Sequence, residues 1–209
     1  LTNVFNDAEK LKLDKRKNHW KISYLNVRSL IAHYEDVITD NEINDSDIFG
    51  LGETHLAANA AVSFDEYSGY FANFGKGKGQ AAFTKIDLLS TPEIVATQHY
   101  SLVFLKTMHF NIVFLYLSQG YSKDAVYPIL DSWIDSRVPT TIMGDVNENL
   151  LENSSFEKFM KSKGFSQMIT QPTHIGGSII DHLYVNEAMK YKVFFFEQNC
   201  CYYSDHDII

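Results

Sequence analysis

Short runs of apolar residues recur along the chain, and most of them are shorter than a typical helix. Such runs, bounded by polar or glycine-containing segments, are typical of buried β-strands. We predict ten strands, over residues 22–27, 48–52, 67–74, 80–85, 101–108, 111–117, 140–143, 167–170, 179–185 and 193–196. The short link Met108-His109-Phe110 between the fifth and sixth of them indicates a β-hairpin.

Three other segments place apolar residues at helical spacing. The first carries Leu30, Tyr34, Val37 and Ile38, and the second carries Val126, Ile129, Leu130, Trp133 and Ile134, with Pro128 in its first turn. The third begins at the capping-box pair Ser154 and Glu157 and ends at Gly164. Many strands with few helices between them indicate two packed sheets with helices outside.

Composition fits one large domain with a substantial core, because 45% of the 209 residues are hydrophobic. The net charge of −8 argues against nonspecific polyanion binding by the whole surface, although a local cationic groove or a metal site remains compatible with it. Cys200 and Cys201 are adjacent and are the only cysteines, so we expect no disulfide framework and favour an intracellular protein. We expect no membrane association, because no run approaches the roughly 18 apolar residues that span a bilayer.

A basic cluster precedes the first predicted strand. It comprises Lys10, Lys12, Lys15, Arg16 and Lys17. We interpret residues 1–18 as a solvated leader or linker, with a nucleic-acid-binding arm as the alternative, and residues 19–209 as the domain. Since the chain begins without Met and stops at Ile209, we expect it to be part of a longer protein.

Carboxylates and amides cluster at the ends of predicted strands. Asn26 closes the first strand and Glu53 the second, and Asp145 and Asn147 follow the strand over 140–143. Asp205 and His206 lie near the end of the chain. Strand ends at one edge of a sandwich can bring distant parts of a chain together, and oxygen ligands of this kind suit Mg²⁺ or Mn²⁺. A hard divalent ion suits phosphoryl chemistry because it neutralises charge on the transferring oxygens. Singly, each of these residues is more typical of a turn.

The order of these motifs resembles the endonuclease/exonuclease/phosphatase superfamily. The matching segments are Leu25-Asn26-Val27-Arg28-Ser29-Leu30, Gly52-Glu53-Thr54, Gly144-Asp145-Val146-Asn147, Ile180-Asp181-His182-Leu183-Tyr184-Val185 and Ser204-Asp205-His206. They run from residue 25 almost to the C-terminus. The resemblance implies an α/β fold of four layers, a DNase I-like sandwich of two sheets flanked by helices, and metal-dependent phosphodiester cleavage.

Three segments, the first of them within the motifs above, are similar to endonuclease domains of non-LTR (LINE-like) retrotransposons. They are Asn26-Val27-Arg28-Ser29-Leu30, Gly77-Lys78-Gly79-Gln80-Ala81-Ala82-Phe83, and Gly164-Phe165-Ser166-Gln167 leading to Gln171-Pro172-Thr173. That likeness implies a nick in duplex DNA that leaves a 3′-hydroxyl for priming, fusion to further domains such as a reverse transcriptase, and a nuclear location. The alternatives are an abasic-site repair endonuclease, a phosphodiesterase acting on RNA or lipid, and a degenerate domain that only binds DNA.

The resemblance assigns roles to individual residues. Glu53 matches the principal ligand of Mg²⁺ (or Mn²⁺), and Asn26 and Asp205 match residues that complete or approach the metal shell. The other matches are Asp145 for activating or orienting water, Asn147 for holding the scissile phosphate, His206 as the catalytic histidine, Asp181 for fixing its ring and Tyr116 for contacting the phosphate. A histidine paired with a carboxylate stays cationic to higher pH and can stabilise a pentacovalent phosphate.

The chain departs from the family pattern at two points. Leu117-Ser118-Gln119-Gly120 follows Tyr116 where a proline is usual, and Arg28 stands where repair enzymes often have an acid. Period-two alternation places His182 on the strand face opposite Asp181, which predicts a structural role. The glycine-flanked Lys76 and Lys78 indicate either an ordinary turn or a loop touching DNA phosphates.

Overall fold

The computed structural model describes residues 19–75, 78–85, 91–193 and 195–209. The basic segment 1–18, Lys76 and Phe194 of the predicted last strand lie outside these residues. The predictions made for them therefore stay predictions. Within the described residues, none of the helices is long and apolar enough to cross a bilayer.

The smaller sheet has four strands in the order β1-β2-β4-β3. They are β1 (Ile22–Asn26), β2 (Ile48–Gly52), β3 (Tyr67–Ala72) and β4 (Gln80–Lys85). β1 and β2 are parallel, with Asn26 opposite Gly52, so both strands end at the same edge of the sheet.

The larger sheet has six strands in the order β5-β6-β7-β8-β10-β9. They are β5 (Thr91–Ala96), β6 (Tyr100–Lys106), β7 (Asn111–Leu117), β8 (Thr140–Asp145), β9 (Phe165–Gln167) and β10 (Asp181–Asn186). β7 and β8 are parallel, and β10 runs antiparallel to β8. The antiparallel pairing of β6 with β7 confirms the predicted hairpin.

Five α-helices and one 3₁₀ turn flank the sheets in the described part of the chain. They are α1 (Tyr34–Thr39), α2 (Asn41–Asn44), the 3₁₀ turn Lys123–Ala125, α3 (Tyr127–Trp133), α4 (Ser155–Ser162) and α5 (Glu187–Lys190). Pro128 lies in the first turn of α3, as predicted. The Ser154 Oγ accepts a hydrogen bond from the Glu157 N–H, and Gly164, with φ of +78°, follows the end of α4. The predicted cap and stop are confirmed.

Three separate cores define four layers. Ile112 and Phe114 of β7 pack between the two sheets, whereas Val113 and Leu115 pack under α3 and α4. A third core joins the outer face of the smaller sheet to α1 and α2. Alternate residues of one strand thus enter different cores, as a period of two requires. The predicted four-layered α/β sandwich is confirmed.

Several predicted elements differ from the structure. Residues 193, 195 and 196 form no strand, so the predicted strand over 193–196 is wrong for the described residues. β5 was not predicted because it is mostly exposed and contains Pro92, which an edge strand tolerates since one side of its ladder is unpaired. The first helix begins only at Tyr34, because Arg28 and Ser29 both adopt positive φ and residues 30–33 form turns.

A candidate active site at one end of the sandwich

Strand register brings the predicted site residues to one edge. Asp145 at the end of β8 lies opposite Tyr116 of β7 and opposite Asp181 at the start of β10. Asp145 shares a strand face with Met143, and Asp181 shares one with Leu183 and Val185. Those three apolar residues belong to or pack against the core between the sheets. The two carboxylates therefore close one end of that inter-sheet layer.

Asn26, Asp145 and Asn147 form one hydrogen-bonded group. The Asn26 Nδ2 donates to the Asp145 Oδ2 over 2.9 Å, which joins the end of β1 in the smaller sheet to the end of β8 in the larger one. The Asn147 backbone N–H donates to the Asp145 Oδ1 over 2.8 Å, and its Nδ2 donates to the Leu117 carbonyl over 2.9 Å. Asp145 is thus held from both sheets.

A glycine is needed immediately before this aspartate. Gly144 has φ of +149°, and a Cβ on it would lie 1.9 Å from the carbonyl oxygen of Leu115 on the neighbouring strand. The Gly-Asp sequence therefore reflects the close approach of β7 and β8 at the site.

Asp181 and His206 form a buried pair. The His206 Nδ1 is 2.8 Å from the Asp181 Oδ2, and both side chains are almost entirely enclosed. The Asp181 backbone N–H donates to the Thr173 Oγ1, which fixes the first residue of β10. The contact predicted between this histidine and this carboxylate is present.

Burial and charge act in opposite directions on these groups. Burial disfavours a charged His206, but the hydrogen bond and charge of Asp181, with Asp145 and Asp205, outweigh it and raise the pKa of His206 to about 9. Burial, and then the nearby Asp181 carboxylate, raise the pKa of Asp145 above its ordinary range. The site therefore pairs a cationic imidazole with a carboxylate that is more basic than usual.

Asp205 lies beside this pair and is half-buried. Its Oδ1 is 3.8 Å from the His206 Nε2. Its Oδ2 accepts hydrogen bonds from the Arg28 Nη1 and, over 3.3 Å, from the His174 Nε2. Burial opposes ionisation of Asp205, but the charges of His206 and then Arg28 outweigh it and lower the pKa of Asp205.

Glu53 reaches the site through a change in backbone direction. An unbroken β2 would place Glu53 on the face of Phe49 and Leu51, away from the inter-sheet layer, but its φ is +48°. Burial raises the pKa of Tyr116, and the Glu53 carboxylate raises it further through its charge and a side-chain hydrogen bond. Glu53 and Tyr116 therefore lie next to each other at this edge.

Unusual backbone conformations concentrate at the site. The described residues include six non-glycine positions with positive φ, and five of them lie on the site loops: Arg28, Ser29, Glu53, His55 and Asn147. Such conformations cost of order 1–3 kcal/mol each and persist only where the surrounding structure enforces them. Here the enforcing contacts include the bonds from Arg28 N to the Asn26 Oδ1 and from Asn147 N to the Asp145 Oδ1.

The donor set fits a hard divalent cation. In the described part of the chain, the Oδ1 atoms of Asp181 and Asp205 are buried and have no hydrogen-bond partner. Two groups place three potential ligand atoms within 4.8 Å of one another. One is Asp145, Asp181 and His206, and the other is His174, Asp205 and His206. Glu53 belongs to neither group, so its assignment as the principal metal ligand stays a prediction.

Two other polar residues named in the sequence analysis, His182 and Lys78, make contacts with the protein itself. His182 is buried, with its Nδ1 3.0 Å from the Tyr184 hydroxyl and its Nε2 2.8 Å from the Glu148 carbonyl oxygen. Burial lowers the pKa of His182 to about 4, and the predicted structural role is confirmed. Lys78 is directed to the Gln98 carbonyl, so its contact with DNA stays a prediction.

Two site residues were missed by the sequence analysis. His174 was not among the site residues predicted from the sequence, yet its ring packs edge-on to His206 at 4.9 Å between centroids. The Tyr24 hydroxyl accepts a hydrogen bond from the Asp145 backbone N–H over 3.1 Å. Tyr24 could have been found, because a residue two positions before Asn26 shares its strand face. His174 comes from a loop that no periodic pattern connects to His206.

Comparison with known proteins gives fold matches without sequence matches. No protein-family model matches the chain, and no curated protein matches it in sequence. The endonuclease domain of TRAS1, a telomere-specific non-LTR retrotransposon, is similar in structure, with a TM-score of 0.70 and 13% identity over 90% of this chain and 95% of that one.

Two solved DNA-processing enzymes are also similar in structure. An AP endonuclease from Archaeoglobus fulgidus has a TM-score of 0.67 and 18% identity over 91% of this chain and 97% of its own. The 3′ phosphatase NExo from Neisseria, bound to a product DNA hairpin, has a TM-score of 0.66 and 15% identity over the same shares. At these identities the likeness concerns the fold. The chain has the DNase I-like α/β-sandwich fold of endonuclease/exonuclease/phosphatase proteins.

Proposed function

We propose that the protein is a divalent-metal-dependent phosphodiesterase that nicks one strand of duplex DNA and leaves 3′-hydroxyl and 5′-phosphate ends. The observation that carries this proposal is the convergence of Asp145 with the buried Asp181–His206 pair at one end of the inter-sheet layer. This arrangement places a basic carboxylate and a cationic imidazole within a few ångströms of each other, as hydrolysis of a phosphodiester requires.

In this proposal Asp145 is the general base. A carboxylate oxygen of Asp145 takes a proton from the attacking water, whose oxygen bonds to phosphorus as the bond from phosphorus to the 3′-oxygen breaks. A carboxylate whose pKa lies near the working pH suits this transfer in its ionised form, and Asn26 and Asn147 hold it in place. The 3′-oxygen leaves as a hydroxyl by taking a proton from a solvent water molecule.

His206 stabilises the charge that builds on the phosphate oxygens. Its Nδ1–H is held by the Asp181 Oδ2, so its Nε2–H is free to face a phosphate oxygen. Because the pKa of His206 is raised to about 9, the ring is cationic at neutral pH. Tyr116 and Asn147 are proposed to contact the same phosphate.

Glu53 and Asp205 are proposed to hold the metal ion, with Asn26 close to its shell. A bound Mg²⁺ or Mn²⁺ would neutralise part of the phosphate charge. The buried Asp205 Oδ1, which has no hydrogen-bond partner among the described residues, supports this assignment.

The choice of DNA rests on the motif order and on the similar structures. One of those proteins is a retrotransposon endonuclease domain, one is an AP endonuclease, and one is bound to a DNA hairpin. The sequence motifs favour the retrotransposon type, in which the 3′-hydroxyl primes reverse transcription. A nuclear location and fusion to a reverse transcriptase are part of the same proposal.

A substrate comparison tests this proposal. Supercoiled plasmid, an oligonucleotide with one abasic site, poly(A) RNA and sphingomyelin are incubated with the protein under identical Mg²⁺ conditions and in EDTA. We expect nicking of the undamaged plasmid that is lost in EDTA and in Glu53→Gln, with Glu157→Gln on α4 as a matched control that retains it. Cleavage confined to the abasic oligonucleotide would assign a repair function, and cleavage confined to RNA or lipid would contradict the choice of DNA.

A further inference from the structure

Arg28 is an exposed cation attached to the buried part of the site. It lies two residues after the end of β1, and its side chain is 55% exposed. Its Nη1 donates to the Asp205 Oδ2, and Asp205 in turn lies beside His206. The hydrogen bond from its backbone N–H to the Asn26 Oδ1 and a φ of +51° fix the direction in which the side chain leaves the chain.

Asp205 does not depend on Arg28 alone for its position. The Gly176 N–H donates to the His174 Nδ1 over 3.0 Å, which leaves the His174 Nε2 to donate to the Asp205 Oδ2. The Asp205 backbone carbonyl also accepts from the Ile175 N–H. These contacts from the loop that contains His174 and Ile175 hold Asp205 on the side away from Arg28.

The guanidinium retains donors for a ligand. Arginine carries five N–H donors in a planar fork, and Nη1 supplies the one side-chain hydrogen bond that Arg28 makes to the described residues. The remaining donors belong to a side chain that is more than half exposed at the mouth of the site. An arginine in a fixed position, with a free donor edge, suits recognition of a phosphate group.

We infer that Arg28 binds a non-bridging oxygen of a backbone phosphate in the bound DNA strand, with Asp205 orienting the guanidinium. The inference rests on the proposed function for its substrate class. It gives the acidic edge of the site a positive charge that contacts the DNA strand directly. A contact of this kind acts on binding in the absence of metal.

The test measures binding without turnover. The whole chain is titrated onto a fluorescent duplex in EDTA at salt concentrations from about 50 to 200 mM, and the slope of log affinity against log salt is recorded. Arg28→Asn removes the charge and suits the positive φ, since asparagine adopts that conformation more readily than most residues. We expect the slope to become less steep by about 0.9, the value of one lost phosphate contact.

Two variants separate this contact from a general charge effect. Arg28→Lys keeps the charge and should keep most of the slope. Arg137→Met removes an 87% exposed arginine that pairs with Asp135 before the start of β8, at the opposite end of the strand from Asp145, and should leave the slope unchanged. Thermal unfolding of each variant verifies that it is folded before binding is measured.

An unchanged slope in folded Arg28→Asn would overturn the inference, even if nicking were lost, because Arg28 would then act only by holding Asp205. Such a result would leave the proposed endonuclease function intact. Conversely, a flatter slope in a chain that never nicks DNA would support the phosphate contact and contradict the proposed activity. Failure of the unaltered chain to bind the duplex would contradict both.

Discussion

The two ends of β10 carry buried polar residues that differ in how fully their side chains are hydrogen-bonded. At its last residue, Asn186 uses its whole amide. The Oδ1 accepts from the Thr140 and Met189 backbone N–H groups over 3.0 and 2.9 Å, and the Nδ2 donates to the Val138 carbonyl over 2.7 Å. At its first residue, Asp181 binds His206 through Oδ2, while its buried Oδ1 has no partner among the described residues.

This difference separates a structural polar residue from one proposed to be functional. Native structures satisfy nearly all buried polar atoms, because an unpaired one costs about 1–3 kcal/mol. Asn186 follows that rule and connects β8 to α5. Asp181 departs from it at the edge where Asp145, Asp205 and His206 also lie. The unsatisfied carboxylate oxygens at this end of the strand therefore support the proposed site for a cation or a substrate.

The largest effect should come from the residues that act on the reacting atoms. His206→Ala and Asp145→Ala should each lower the turnover number for plasmid nicking by roughly 10²–10⁴-fold, since each removes a group that acts in the transition state. Nicking rates under saturating DNA measure the loss. Near-normal turnover in either folded variant would remove that residue from the proposed chemistry.

The two buried histidines should respond to pH with opposite sign. His206 has a folded-state pKa of about 9, above its ordinary value, so its contribution to stability is complete below about pH 6.5 and is lost as pH rises toward 9. His182 has a lowered pKa of about 4, so its contribution is present above pH 6.5 and is lost as pH falls toward 4.

Urea unfolding of the unaltered chain, His206→Gln and His182→Gln in EDTA measures this contrast. The stability deficit of His206→Gln should shrink between pH 6.5 and 9, by about 1.4 kcal/mol for each unit of raised pKa. The stability deficit of His182→Gln should shrink as the pH falls from 6.5 toward 4. If the stability deficits of the two variants changed with pH in the same direction, the opposite pKa shifts of His206 and His182 would be contradicted.

Asp181 should matter less than the histidine that it orients. Asp181→Asn should lower turnover by roughly 10–100-fold, as loss of a carboxylate that orients a functional histidine does at metal sites. The double variant with His206→Ala should be little worse than His206→Ala alone, because the two residues act as a unit. Additive losses in a double-mutant cycle would show that Asp181 acts independently.

The smallest effect on activity should come from the opposite end of the same strand. Asn186→Ala should lower the free energy of unfolding by about 1–3 kcal/mol, because it leaves the Thr140 N–H and the Met189 N–H at the start of α5 without their partner. Turnover per folded molecule should stay unchanged. A loss of turnover without a loss of stability would contradict the structural role assigned to Asn186.

Much of the architecture could be predicted from periodicity, because the central strands are long, apolar and bounded by polar residues. β2, β4 and β7 have the predicted limits. β5 could not be predicted in the same way, since its residues are mostly exposed and its position depends on pairing with β6. The predicted strand over 193–196 had the required composition but has no ladder to join among the described residues.

The identities of the candidate site residues could be predicted from the sequence, but many of the contacts between them could not. Asn26, Asp145 and Asp181 follow from motif order together with strand ends, and their proximity is a consequence of register. The roles of Arg28 and His174 depend on the loop containing Asp205, which carries no periodic signal. A local change in φ at Glu53 is likewise invisible to a pattern of alternation.

The positive φ angles at the site have a consequence for how the sequence can evolve. Arg28 and Glu53 hold conformations that glycine adopts without strain, and replacement by glycine would relieve about 1 kcal/mol or more at each position. Selection for the proposed activity would oppose that change, because glycine carries neither a guanidinium nor a carboxylate. A descendant released from such selection should drift toward glycine or asparagine at these two positions, gaining thermal stability as it loses catalytic competence.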